Sequence, residues 1–177
     1  MISRAFFQRV LNPAVLEERR QLFLDNDLAI SRNTKHMKSF GTYPVLYVNL
    51  SVSELIYQSP IDADSRRKIR GETFEDLHVA FQKRVKAVAE DLQKQGLLSR
   101  VALDELDRTF LTQVMSRTLP ADEWPEALSK LMTILHTIHN RDVIVLIDEY
   151  DTPAAHASEH GYFSAVCLHQ PSLISIS

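Results

Sequence analysis

Chemistry-bearing side chains gather beside a strand-forming run at Asp148-Glu149-Tyr150-Asp151, directly after Val143-Ile144-Val145-Leu146-Ile147. Adjacent carboxylates can divide two tasks. One can hold a hard divalent cation such as Mg2+, and the other can polarise a water for attack. The plain alternative is a buried strand whose acidic end returns the chain to solvent or caps the next helix. Short motifs match by chance, so the residue types alone leave both readings open.

Positioning those acids requires a sheet. The five apolar residues Val143 to Ile147 show no alternation and four are β-branched, which predicts a central strand covered on both faces by helices. Ligands of an open parallel sheet lie beyond the carboxyl ends of its strands, where Asp148 and Glu149 fall. Successive strand residues point opposite ways, so the two carboxylates are expected to serve different tasks. A second buried strand, expected to be parallel, is predicted over Tyr43 to Leu50, after the Gly41-Thr42 turn signal.

The remaining periodicity is helical. Phe6, Phe7, Val10 and Leu11 predict a helix over 3–11, and Pro13 is suited to open a second through Leu16 and Phe23. Residues 31–39 and 58–71 read as loops, the latter with Pro60, Gly71 and six charged residues. A long amphipathic helix from Thr73 carries Phe74, Leu77, Phe81, Val85, Val88 and Leu92, and Gly96 can terminate it. Leu103, Leu106, Phe110 and Val114 mark a further helix. Another is expected from about Pro125 to Asn140, with Asp122 as its cap and Leu128, Leu131, Leu135 and Ile138 inward.

With 177 residues, 45% hydrophobic and 24% charged, the chain fits one domain with its own core. A net charge of -3 gives no broad basic field, so nucleic acid is disfavoured as the main partner and an anionic membrane surface is too. A single cysteine, Cys167, excludes an internal disulfide and any multi-cysteine metal site. The start is too charged for a secretory signal and no apolar run approaches the roughly 20 residues of a membrane span. The expectation is an intracellular protein, cytoplasmic or nuclear, with a protein partner or a second copy of itself as the candidate partner.

Other polar groups have bland explanations. His156 and His160 are four apart and could share a helix face as metal ligands, but no third ligand stands at a diagnostic spacing, which favours a solvated pair. His136 and His139 suit a helix C-terminus. Arg66, Arg67, Lys68 and Arg70 stand among Asp62, Asp64 and Glu72, the pattern of a solvated loop. Trp124 beside Pro125 reads as packing at a helix start, and Cys167 has no basic environment to activate it.

The string VIVLIDEYDTP, followed by Ala154, Ala155, His160, Gly161 and Tyr162, resembles the Walker B region of the AAA-ATPase-like domain family. Upstream, Leu22-Phe23 and Tyr43-Pro44-Val45 leading to Ser51 resemble the family's Leu-Phe element and its Tyr-Pro-Val strand ending in serine. The resemblance covers approximately residues 1–163. It implies a P-loop NTPase-like three-layer α/β/α sandwich with a parallel sheet. Asp148 then matches the magnesium-associated aspartate and Glu149 the catalytic glutamate, with Mg2+ and ATP as the cofactors of the complete family domain. Tyr150 and Asp151 match the motif without an assigned role.

A phosphate-binding loop needs glycines followed by Lys and Ser or Thr, yet none of Gly41, Gly71, Gly96 and Gly161 precedes a lysine. The Walker A motif is absent from this chain. The last 18 residues, from His160, carry no Asp, Glu, Lys or Arg. The expected organisation is therefore an incomplete sandwich truncated at both ends: a partial AAA-ATPase-like domain over 1–163 and an atypical tail, open to disorder, over 164–177. Loss of a neighbouring strand would leave Val143 to Ile147 with an exposed edge. The chain is expected to be inactive by itself, with ATP binding in doubt. The competing expectations are a non-catalytic helical interaction module and a magnesium-dependent nuclease using Asp148, Glu149 and Asp151, the latter weakened by the lack of a nearby lysine.

Overall fold

The structure is a computed structural model that describes residues 2–51, 73–98 and 103–165. The loop read at 58–71 with its basic cluster, and Cys167 with most of the tail, lie outside the described residues.

Helix α1 (Ile2–Phe7) stops short of the expected Leu11. The carbonyls that would continue it are taken by the chain entering the first strand: Gly41 N–H donates to Phe6 at 2.7 Å and Tyr43 N–H to Phe7 at 3.1 Å. Arg9 N–H returns a 2.6 Å bond to the Tyr43 carbonyl, so Gln8 and Tyr43 form a parallel bridge instead of a helical turn. Gly41 makes this approach possible. Its φ is +63°, and a Cβ there would collide with the Leu16 side chain.

Asn12 caps helix α2 (Pro13–Asp25) by accepting from Ala14 N–H at 3.0 Å, with Pro13 in the first turn as its sequence position suggested. Only Phe23 of α2 is buried. It meets Phe6 and Phe40 edge to face, with ring centroids 5.2 to 5.6 Å apart, in a small aromatic cluster that fixes the N-terminal region. Each such pair contributes roughly 0.5–1.5 kcal/mol beyond area burial. The stretch expected as loop over 31–39 contains the short helix α3 (Thr34–Met37), because the Asn33 side chain accepts from the N–H groups of Lys35 and His36.

Strands β1 (Val45–Asn49) and β2 (Ile144–Asp148) pair in parallel, in register from Val45 with Ile144 to Asn49 with Asp148. Tyr43 turns both backbone groups toward the Phe7 to Arg9 segment, whereas the Pro44 carbonyl accepts from Ile144 N–H at 3.0 Å. The start of β1 thus lies between that segment and β2. Among the described residues β2 is not covered on both faces: its residues are partly exposed, and Ile147 is exposed. β1 is its sole strand partner among the described residues, so its other edge finds none there.

Helix α4 (Phe74–Lys94) starts on Thr73, whose hydroxyl accepts from Asp76 N–H at 3.2 Å, and ends before Gly96 at φ +73°. Helix α5 (Glu105–Ser116) starts on Asp104, which accepts from Asp107 N–H at 2.8 Å. Leu103, Phe110 and Val114 are buried but Leu106 is not, being 76% exposed. Leu103 precedes the helix, so helical spacing cannot be counted from it. A turn of 3-10 helix at Trp124–Glu126 leads into α6 (Ala127–His139), and Asn140 ends α6 in the left-handed region at φ +45°. Asp122 is exposed and does not cap this helix, whose start has no side-chain cap. The buried Trp124 closes the turn, its indole N–H donating to the Leu119 carbonyl at 3.0 Å.

The larger of two buried clusters joins the strands to α4, α5 and α6. Leu46 and Val48 on one face of β1 pack with Val85, Ala89 and Leu92 of α4, Phe110 and Val114 of α5, and Leu131 and Leu135 of α6. The chain is therefore α/β, with a two-stranded parallel sheet and helices packed on it among the described residues. None of the described helices is long and apolar enough to cross a membrane.

Candidate functional site at the strand ends

Parallel pairing brings the ends of β1 and β2 side by side at Asn49 and Asp148, and Leu50 N–H extends the ladder to the Asp148 carbonyl at 2.9 Å. Asn49 then turns the chain away, its side chain accepting from Ser51 N–H at 2.8 Å. Ser51 Oγ is buried at this end of β1 without a hydrogen-bond partner among the described residues.

The Asp148 carboxylate is exposed and accepts from Tyr47 Oη–H at 3.3 Å. Tyr47 lies opposite Leu146 in the register, two residues before Asn49, so its hydroxyl reaches Asp148 along the diagonal of one sheet face. The Tyr47 ring in turn lies 5.1 Å from the Arg4 guanidinium, which pairs with Asp91 of α4. Residues from α1 and α4 thereby brace the aspartate's neighbour.

Glu149 does not continue the strand. Its φ is +55°, a left-handed conformation unusual for a side chain with a Cβ, and its N–H turns back to Asp148 Oδ1 at 3.2 Å. The alternation expected to send the two acids to opposite sides therefore does not apply at this step. Glu149 Oε2 accepts from Thr152 Oγ1–H at 2.9 Å, and its carbonyl accepts from Thr152 N–H at 3.1 Å. Thr152 opens helix α7 (Thr152–Glu159), which Pro153 and Ala157 bury against the rest. Glu149 thus supports the start of α7 as well as facing solvent, while Tyr150 and Asp151 are exposed. Sequence reasoning missed Tyr47 and Thr152. The one available signal was the parity of Tyr47 with a strand-ending asparagine.

What this end of the sheet offers is a hard oxygen donor set, carboxylates with lone pairs left over, and that chemistry suits Mg2+. No group of three His, Cys, Asp or Glu side chains that could hold a metal occurs among the described residues. An ion here would keep waters or phosphate oxygens as its other ligands, which is how Mg2+ is usually bound.

Both histidine pairs make local contacts. His136 Nδ1 lies 3.0 Å from the Arg141 carbonyl and His139 Nε2 lies 2.9 Å from the Leu97 carbonyl, so the pair ties the end of α6 to its neighbours. The rings of His156 and His160 meet at 4.3 Å.

No curated protein and no solved structure matches this chain. The profile of a family described as predicted AAA-ATPase matches residues 4–170, nearly the whole chain, and embraces both strands and the acidic end between β2 and α7. The chain belongs to the AAA-ATPase-like family.

Proposed function

We propose that this chain carries the metal-holding and water-polarising carboxylates of a P-loop ATPase-type site, on the Walker B portion of a P-loop sandwich. The observation behind the proposal is that two exposed acids stand at the carboxyl end of a parallel strand pair in a member of an ATPase-like family. Asp148, held by Tyr47, is the residue assigned to Mg2+. Glu149, turned out of the strand and hydrogen bonded to Thr152, is the residue assigned to orienting the attacking water. When bound, Mg2+ supplies neutralisation of phosphate charge.

The sequence has no Gly-x-x-x-x-Gly-Lys string, and without such a loop the main phosphate contacts are missing. Turnover by these 177 residues alone is accordingly expected to be negligible and nucleotide affinity low. Thermal unfolding in the presence of Mg2+, ATP, or both tests the proposal. We expect a stabilisation that needs both components together at millimolar concentration and disappears in Asp148→Asn. Equal shifts in the wild type and Asp148→Asn would instead favour a non-catalytic helical module that binds a protein partner or a second copy.

A further inference from the structure

Helix α7 carries a second cluster of chemically competent groups, at the end opposite the acids. His156 is partly buried and His160 exposed, one helical turn apart, with ring centroids 4.3 Å apart and planes inclined by 48°. The chain then turns so that Tyr162 Oη comes within 3.1 Å of His156 Nδ1. With the proton on Nδ1, His156 donates to the Tyr162 oxygen and its Nε2 keeps a lone pair. Neither ring nitrogen of His160 is hydrogen bonded among the described residues, so its lone pair is open as well.

We propose that His156 and His160, with Tyr162 orienting His156, form a two-imidazole surface site for a divalent transition cation of the zinc class. Imidazole nitrogens suit Zn2+, Ni2+ and Cu2+, whereas Mg2+ demands oxygen ligands, so this site is chemically distinct from the acidic strand end. A hydrogen bond to the ring nitrogen opposite the metal is the usual device for fixing a histidine ligand's tautomer and ring orientation. Water completes the coordination, because no third His, Cys, Asp or Glu joins the pair among the described residues. A neutral ring is the form that binds metal.

Occupancy would staple the last turn of an eight-residue helix that is too short to hold itself together. The same helix begins at Thr152, the hydrogen-bond partner of Glu149, so a cation there would steady the acidic loop from behind.

The test is a ZnCl2 titration of the full chain in a non-chelating buffer, with MgCl2 alongside, followed by NMR of 15N-histidine. The expected result is saturable Zn2+ binding that moves the His156 and His160 ring signals together and has no Mg2+ counterpart. It should be lost in His160→Ala, retained in His136→Ala, and weakened about 10-fold or more in Tyr162→Phe. Signals moving at His136 and His139 instead, or His160→Ala binding Zn2+ as tightly as the wild type, would overturn the site. The wild-type ring signals decide the matter even if a variant loses its fold.

Discussion

Asp148 and Glu149 are neighbours held by different devices. Asp148 ends a strand and takes a diagonal hydroxyl from Tyr47, whereas Glu149 sits in a left-handed turn closed by Thr152. The residue types announced the carboxylates, but the sequence carried no sign of the left-handed turn, which follows from β2 having to hand the chain to α7 within three residues. The Tyr47 contact was hidden for a related reason, since it depends on register between residues 101 positions apart in the chain. Tyr47→Phe removes the exposed hydrogen bond to Asp148, and we expect unfolding free energy to stay within about 0.5 kcal/mol of the wild type by urea titration. Gly41→Ala is the opposite case. A Cβ at φ +63° would strike Leu16, and the expected loss is about 1–3 kcal/mol in the same experiment.

At the scale of elements, period and capping carried most of the information. The repeat in α4, the αL residue after α6 and proline at the start of α2 all sit where the sequence places them, because each is a local steric or hydrogen-bonding requirement. Where the expectation failed, a tertiary contact overrode local preference. Helix α1 gives up its last turn to Tyr43, and Asp122 loses its capping role to a 3-10 turn built on Trp124 and Pro125. Helix α2 offers a sharp contrast between adjacent residues, since Phe23 is buried in the aromatic cluster while Leu22 is 58% exposed. Phe23→Ala should cost about 3–5 kcal/mol, and Leu22→Ala should stay within roughly 0.5 kcal/mol, as measured by chemical denaturation. Similar losses at the two positions would mean that α2 packs by another face.

For the whole molecule, the α/β class and the parallel pairing were legible because uninterrupted apolar runs and helical stripes leave few alternatives. The exposure of β2 was legible only in part: its composition is that of an interior strand, and what covers such a strand is a property of the surrounding chain. Two histidines are expected to make global stability depend on pH. Burial lowers the pKa of both His139 and His156 from 6.5, so the unfolded chain takes up protons first as the solution is acidified. The stability they contribute is complete above about pH 6.5 and is lost as pH falls below it. The urea midpoint should therefore drop between pH 7 and 5.5, and His139→Gln should flatten that drop; an unchanged midpoint in the wild type would contradict the burial of these rings.

Whether the strand end is a metal site can be read residue by residue from amide NMR of the 15N-labelled chain titrated with Mn2+ in place of Mg2+. Paramagnetic broadening should centre on Asp148 to Thr152, spread to Leu50 and Ser51 across the strand pair, and vanish in Asp148→Asn. Broadening that ignores these amides, or that persists unchanged in Asp148→Asn, would show that the two acids do not serve a cation.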